Sequence, residues 1–280
     1  MAATLALATL AATSCGGGEG AGRESLTVSN PAMGYFVSRL CPADIEVNVM
    51  IPLGADHDTY TPRPSQMASL SHSTAYIAFG PLEFETTWRD RIMDAAPNLK
   101  WTDASRGISL ITTPSHHCHA AAADPHYWLS PKQAAIMSRN VAEIIKTVTP
   151  RAAQFADSAL IALLADVTRA DSMMERAAQA WPGQTFVVYH PALTYVARDY
   201  GLRQLSVATD GVAPQPRRYA ELTNDAKAAG ARVVFIQPGM TPDRVAATAE
   251  EIGAKVVSLT PEAADWPKTM ATIADALSKR

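Results

Sequence analysis

The stretch RAAQFADSALIALLADVTRADSMMERAAQA, residues 151–180, decides how this chain is organised. From Pro131 through Ala180 no strand signal appears, and the quoted segment reads as one long helix with Phe155, Leu160, Leu163, Leu164, Val167 and Met174 set among charges. At ~1.5 Å per residue such a helix would run ~45 Å, more than a small lobe needs, and a helix of that length can join two lobes. Working outward, the N-terminal side carries the β-branched runs LTVS (Leu26–Ser29), IEVNVMI (Ile45–Ile51) and AYIAF (Ala75–Phe79), with helical stretches at Ser65–Leu70 and Glu83–Ala95. The C-terminal side repeats the pattern with TFVVY (Thr185–Tyr189), VVFI (Val233–Ile236) and KVVS (Lys255–Ser258). Its helical stretches are Thr194–Tyr200, Arg218–Ala229 and Pro242–Ile252. Strands alternating with helices predict parallel sheets, so the expected fold is α/β: two lobes with mostly parallel sheets joined by a long helix. The expected division is 26–150 for the N-terminal lobe, 151–180 for the linking helix and 181–280 for the C-terminal lobe, after a leader at 1–25.

Composition narrows the function. With 48% hydrophobic and 18% charged residues over 280 positions, the chain has the make-up of a folded globular protein rather than a disordered one. Lys+Arg 24 against Asp+Glu 27 leaves a net charge of −3, so no bulk positive field draws a phosphate backbone and nucleic acid is not an expected partner. Three cysteines without CxxC spacing exclude a disulfide scaffold and a thiolate zinc ribbon. In the leader, the uncharged apolar run Ala2–Ala12 is too short to span a bilayer but suits a secretory signal. It ends at Ala12-Thr13-Ser14-Cys15, which resembles a bacterial lipobox. Cys15 is therefore the expected lipid anchor, Gly16–Gly22 a tether, and the mature protein periplasmic or otherwise extracytoplasmic. A plain signal peptide with an incidental cysteine is the alternative, and it too predicts export.

Seven histidines are the informative count. His57 comes after a strand in IPLGADHDTYTPRPS, where Pro52 and Gly54 end the strand and Pro62 and Pro64 delay the next helix. His126 sits in DPHYWLSP between Pro125 and Pro131, with Trp128 available as a wall. His190 ends the strand in TFVVYHPAL. Open α/β sheets bind ligands beyond the carboxyl ends of their strands, so the fold can bring all three to one crevice, two from one lobe and one from the other. Three neutral imidazoles at ~2.0–2.1 Å suit Zn²⁺ with one further ligand.

These motifs resemble a known family, the metal-receptor lipoproteins of bacterial zinc and manganese ABC transporters. The resemblance covers nearly the whole mature chain. IPLGADHDTYTPRPSQMASLSHSTAYIAFGPLEFE is similar to the first ligand loop with its succeeding helix and strand, including a Gly-x-x-x-Glu helix start carried by Gly80 to Glu83 with one residue fewer. DPHYWLSP resembles the Asp-Pro-His-x-Trp-Leu motif, and YHPALTYVARDYGL the third motif.

The resemblance implies two α/β lobes joined by a rigid helix, a metal ion held between them, and delivery to an ABC permease in the inner membrane by a monomeric receptor. It implies Zn²⁺ as cargo, because the third motif carries His190 where manganese receptors often carry Glu, with a manganese (Mn²⁺) or iron receptor of the same family as the competitor. The implied fourth ligand is a C-terminal-lobe carboxylate. Thr260 stands where an aspartate is usual, and Glu262 is the candidate, with Asp265 or a water as alternatives. SHHCH (Ser115–His119) falls where zinc receptors have a His-rich loop; His116, His117, Cys118 and His119 either capture zinc or form a short solvated loop. Cys41 and Cys118 either pair or leave Cys118 to those histidines. Asp124 is expected as a turn residue or a support for a ligand, and His72 as exposed. A zinc hydrolase is the competing class, but the chain has no HExxH that would set a general-base Glu beside two ligands.

Overall fold

Short apolar runs flanked by capped helices build the chain as successive strand–helix units. The computed structural model describes residues 24–113, 122–206, 216–238 and 242–278. The first lobe runs β1 (Ser25–Val28), α1 (Pro31–Leu40), β2 (Glu46–Val49), α2 (Pro64–Ser69), β3 (Ser73–Ala78), α3 (Glu83–Ala95) and β4 (Lys100–Asp103). Its four strands are all parallel in the order β2-β1-β3-β4. A small antiparallel pair, β5 (Thr112–Thr113) with β6 (Ala122–Ala123), precedes α4 (Pro131–Val148). After α5 (Ala153–Ala180) the second lobe runs β7 (Thr185–Val188), α6 (Thr194–Tyr200), β8 (Arg203–Ser206), α7 (Pro216–Ala228), β9 (Val233–Ile236), α8 (Pro242–Ile252), β10 (Lys255–Ser258) and α9 (Trp266–Ser278). Its sheet is also all parallel, in the order β10-β9-β7-β8.

Both sheets reverse direction at their first strand, between β1 and β3 in one lobe and between β7 and β9 in the other. Such switch points open a crevice beyond the strand ends, which is where α/β proteins bind ligands. The inner strands β1 and β7 are buried along their whole length; β7 (TFVV) is largely apolar, whereas β1 (SLTV) buries Ser25 and Thr27 with their hydroxyls within hydrogen-bond distance of Ser73 Oγ. The edge strands β4 (KWTD) and β8 (RQLS) are partly exposed and polar, and neither was expected as a strand.

The long helix is observed as a 3-10 turn, Pro150–Ala152, leading into α5. Its buried residues, Ala156, Leu163, Val167, Ala170, Met174 and Ala177, recur at three-, four- and seven-residue steps and form one stripe. That stripe packs against α1, α4, α6 and α9, so α5 is supported along its length. Phe155, one of the apolar residues read in this helix, lies off the stripe and is 44% exposed.

The last helix, α9, returns across the first lobe. Asp265 caps it, its Oδ1 accepting from Lys268 N at 3.1 Å. Trp266 at its start packs edge-on to Phe36 and stacks with Tyr35, ring centroids 5.3 and 6.4 Å apart. One continuous apolar core therefore runs through the first lobe, α4, α5, α9 and the near face of the second sheet. A smaller core, including Val187, Leu222, Val234 and Val245, fills the space between that sheet and α7 and α8. Separating the lobes would expose the shared core to water at ~25 cal/mol per Å², so wide hinge opening is strongly opposed.

Candidate metal centre

His126 is placed by the Asp-Pro turn before it. Asp124 Oδ1 accepts from the His126 backbone N at 2.8 Å and lies 2.9 Å from its ring Nδ1. Burial raises the Asp124 carboxyl, but the His126 ring and backbone outweigh it and hold the carboxyl below its ordinary value. A carboxylate on Nδ1 keeps the proton there and leaves Nε2 with a free lone pair. Asp124 is thus the turn residue and ring support it was expected to be.

The turn is in turn clamped by the second lobe. Tyr195 Oη of α6 donates to Asp124 O at 2.7 Å and accepts from Ile111 N at 3.0 Å. Trp128 Nε1 donates to Pro261 O at 3.0 Å, and Trp266 Nε1 donates to Trp128 O at 2.7 Å. Ser130 Oγ and Gln133 Nε2 both donate to Asp199 Oδ2 of α6, at 2.6 and 2.8 Å. His126 is therefore gripped from both sides.

His190 stands two residues past β7, at the switch point of the second sheet. Tyr189 N donates to Phe235 O at 3.0 Å, which extends the sheet up to it. Val188, Leu193, Phe235, Leu259 and Pro261 line the apolar recess beside its ring. Burial, then the neighbouring His126 and His57, push its pKa down to about 3, so the ring is neutral near pH 7.

His57 is carried on the loop after β2 and is 3% exposed, although its neighbours Asp56 and Asp58 are exposed. Its Nδ1 lies 3.4 Å from Glu262 Oε1, and its Nε2 lies 3.3 Å from Asp58 Oδ1 but has no hydrogen-bond partner. Burial alone would lower its pKa; Glu262, Asp58 and Asp56 outweigh that and raise it.

The three rings meet in the crevice. His126 Nε2 and His190 Nε2 are 3.3 Å apart, and centroid separations are 5.2 Å for His57–His126, 5.7 Å for His57–His190 and 5.0 Å for His126–His190. One nitrogen from each lies within 4.8 Å of one from each of the others. Ligands at ~2.0–2.1 Å on a tetrahedral ion stand ~3.3 Å from one another, so the His126–His190 spacing already fits one edge. A buried imidazole nitrogen without a partner costs free energy that a cation would recover.

Glu262, expected as the fourth ligand, is buried, with Oε1 3.4 Å from His57 Nδ1; among the described residues two groups of donors lie mutually close, the three histidines and the set Asp56, His57 and Asp58. Asp265 is spent on capping α9. His72 is exposed, as expected. Cys15 and the segment His116–His119, with Cys118, lie outside the described residues. Cys41 is buried, and burial pushes its thiol up to about 12.

Reasoning from sequence missed two supports. It placed the Gly-x-x-x-Glu turn on Glu83, which is exposed, whereas Glu85 is the buried residue that closes it. Glu85 accepts from Phe79 N at 2.8 Å, from Gly80 N at 2.7 Å and from Ser29 Oγ. Tyr127 Oη, next to His126, donates to Phe79 O at 2.8 Å, so this network braces the histidine turn from below. The second omission was the Trp128–Trp266 pair, which joins residues too far apart in sequence to be paired by spacing.

Two parallel α/β lobes sharing one core, with a crevice between their strand ends and a long helix along both, define a bilobal solute-binding receptor of the rigid kind. Comparison with known proteins agrees. Residues 26–280 match the family described as zinc-uptake complex component A, periplasmic, and the chain belongs to that family. The high-affinity zinc uptake system protein ZnuA of Bacillus subtilis is 24% identical over 235 residues, covering 79% of this chain and 72% of that protein. A crystal structure of ZnuA superposes with a TM-score of 0.83 at 30% identity, over 91% of this chain and 98% of that one. A zinc-bound ZnuA carrying a deletion of residues 138–173 in its own numbering gives a TM-score of 0.82 at 32% identity, over 92% and 99%.

Proposed function

We propose that this chain captures Zn²⁺ outside the cytoplasm, holding it between its lobes through Nε2 of His57, His126 and His190, and passes it to an ABC permease in the inner membrane. The observation that carries the reading is the convergence of three buried imidazoles from two lobes, one with an unpartnered nitrogen and two set 3.3 Å apart. Neutral nitrogen ligands favour zinc over manganese, which prefers oxygen. Glu262 acts from the second lobe on the Nδ1 side of His57, as Asp124 does on His126. Its charge lowers the formal +2 of a cation held by three neutral imidazoles.

The receptor performs no chemistry on its cargo. Glu262 and Asp124, the carboxylates on the Nδ1 sides of His57 and His126, are engaged by those rings, which supports binding rather than catalysis. Exchange proceeds by displacement of the His57 loop, since the shared core opposes hinge opening. Among the described residues no helix is long and apolar enough to cross a membrane. Attachment through a lipid on Cys15, and a monomeric state, complete the proposal.

Titration of metal-free protein with Zn²⁺ and Mn²⁺ in competition tests it. Zinc is expected to win, and His190→Ala to lose zinc affinity by orders of magnitude. Preferential manganese binding, or unchanged zinc affinity in His190→Ala, would overturn the assignment.

A further inference from the structure

The loop that carries His57 has little behind it. From Pro52 to Thr61 every residue is exposed or half-buried except His57 itself, and Leu53 is 60% exposed. The bonds inside it are local: Ala55 N donates to Pro52 O at 3.1 Å, and Asp58 N to Asp56 Oδ1 at 2.9 Å. His126, by contrast, is gripped by both lobes, and His190 follows an inner strand by two residues.

Among the described residues, the hydrogen bonds that fasten this loop gather on one side chain, Gln66, in the first turn of α2. Its Nε2 donates to Met50 O at 2.6 Å, where the chain leaves the sheet. Its Oε1 accepts from Tyr60 Oη at 2.8 Å and from Arg63 N at 2.9 Å, where the chain enters the helix. Met50 is itself fixed, its N donating to Val28 O at 3.0 Å. A single amide therefore ties the exit of the loop, its returning arm and the start of the helix together. Tyr60 adds a tilted ring contact to Phe84, centroids 6.0 Å apart.

We infer that Gln66 is the pin that holds the His57 loop in its metal-binding stance, a positioning residue for zinc rather than a ligand. The inference rests on the proposed role of His57 as a ligand. A loop pinned at both ends has its ordering entropy removed before metal arrives, so the ion need not supply it. Without the pin, His57 is the first ligand to leave and the last to return.

The test is zinc release from the full chain into excess chromogenic chelator, monitored by stopped flow, with thermal melts as a check on folding. Gln66→Met keeps the side-chain length and removes all three bonds; it is expected to release zinc about tenfold faster than the wild type. In a His57→Ala background Gln66→Met adds nothing, because the ligand it positions is gone, whereas a general loosening of the lobe would still add. Wild-type release in Gln66→Met, or equal acceleration in both backgrounds, overturns the pin. If Gln66→Met does not fold, Tyr60→Phe applies the same comparison: a severalfold acceleration confined to the His57 background is expected, and an unchanged rate overturns it. If His57→Ala itself releases zinc at the wild-type rate, the ligand assignment falls and the pin with it; if His57→Ala is fast and Gln66→Met is not, only the pin falls.

Discussion

Acidification from pH 7 to pH 5 should weaken zinc binding, but by less than three ordinary histidines would require. Zinc needs each imidazole neutral, so every proton taken up by the metal-free centre competes with the ion. For a histidine near the reference value of ~6.5, this competition costs roughly 25-fold between pH 7 and pH 5. Three such groups would lower affinity more than ten-thousandfold. His190 is removed from the competition, because burial and its two histidine neighbours hold it at about 3. His57 stays in it, because Glu262, Asp58 and Asp56 more than offset the effect of burial and raise its pKa. With that ring out of the competition, the expected loss falls well short of the three-histidine figure, and the slope stays below three decades per pH unit at the acid end. The assay is competition against a chelator whose own protonation is corrected for, with circular dichroism confirming a folded chain at each pH. A slope of three would show that His190 titrates like an exposed imidazole, and the assignment of a buried, desolvated centre would be wrong.

Asp124→Asn should weaken zinc about 10–100-fold in the same assay, because the ring it orients keeps its place but loses a charged acceptor; an unchanged affinity would deny the support a role. Glu85 is fully buried, and burial drives its carboxyl to about 7 against three hydrogen bonds that pull it down. The folded state therefore holds this proton more tightly than the unfolded chain, whose value is ~4.5 or a little lower. The associated stability is present below pH ~4.5 and is lost as pH rises through about 7, by about 3 kcal/mol. Urea unfolding of the metal-free protein at pH 5 and pH 8 should show that extra loss in the wild type and not in Glu85→Gln; parallel behaviour of the two would refute it. Trp266→Ala should destabilise the chain by about 3–5 kcal/mol, since it empties a fully buried site and removes the donor to Trp128 O; a loss under 1 kcal/mol would mean α9 does not tie the lobes.

The parts of this molecule legible in its sequence are those with a local cause. Apolar runs mark inner strands buried between layers, as in Thr185–Val188 and Val233–Ile236. The loops that carry His57 and His126 announce themselves because prolines stiffen the chain on each side of both histidines. The helix α5 was readable from its composition, within two residues at its start. What escaped depends on contacts between distant segments. KWTD and RQLS become strands only because an inner strand lies beside them. Glu83 and Glu85 are equivalent by composition; only the turn at Gly80, with φ +97°, aims the second at the backbone of Phe79 and Gly80. The grip of Trp128 on Pro261 and of Trp266 on Trp128 leaves no trace in spacing at all.

The central claim is that one cation sits between the lobes on His57, His126 and His190. Anomalous diffraction at the zinc absorption edge, from crystals of protein loaded with one equivalent of zinc, tests it most directly. A single strong peak is expected about 2.0–2.1 Å from Nε2 of all three rings. A peak bound by the histidines of residues 116–119 instead, or one touching only the Asp56–Asp58 rim beside His57, would contradict it.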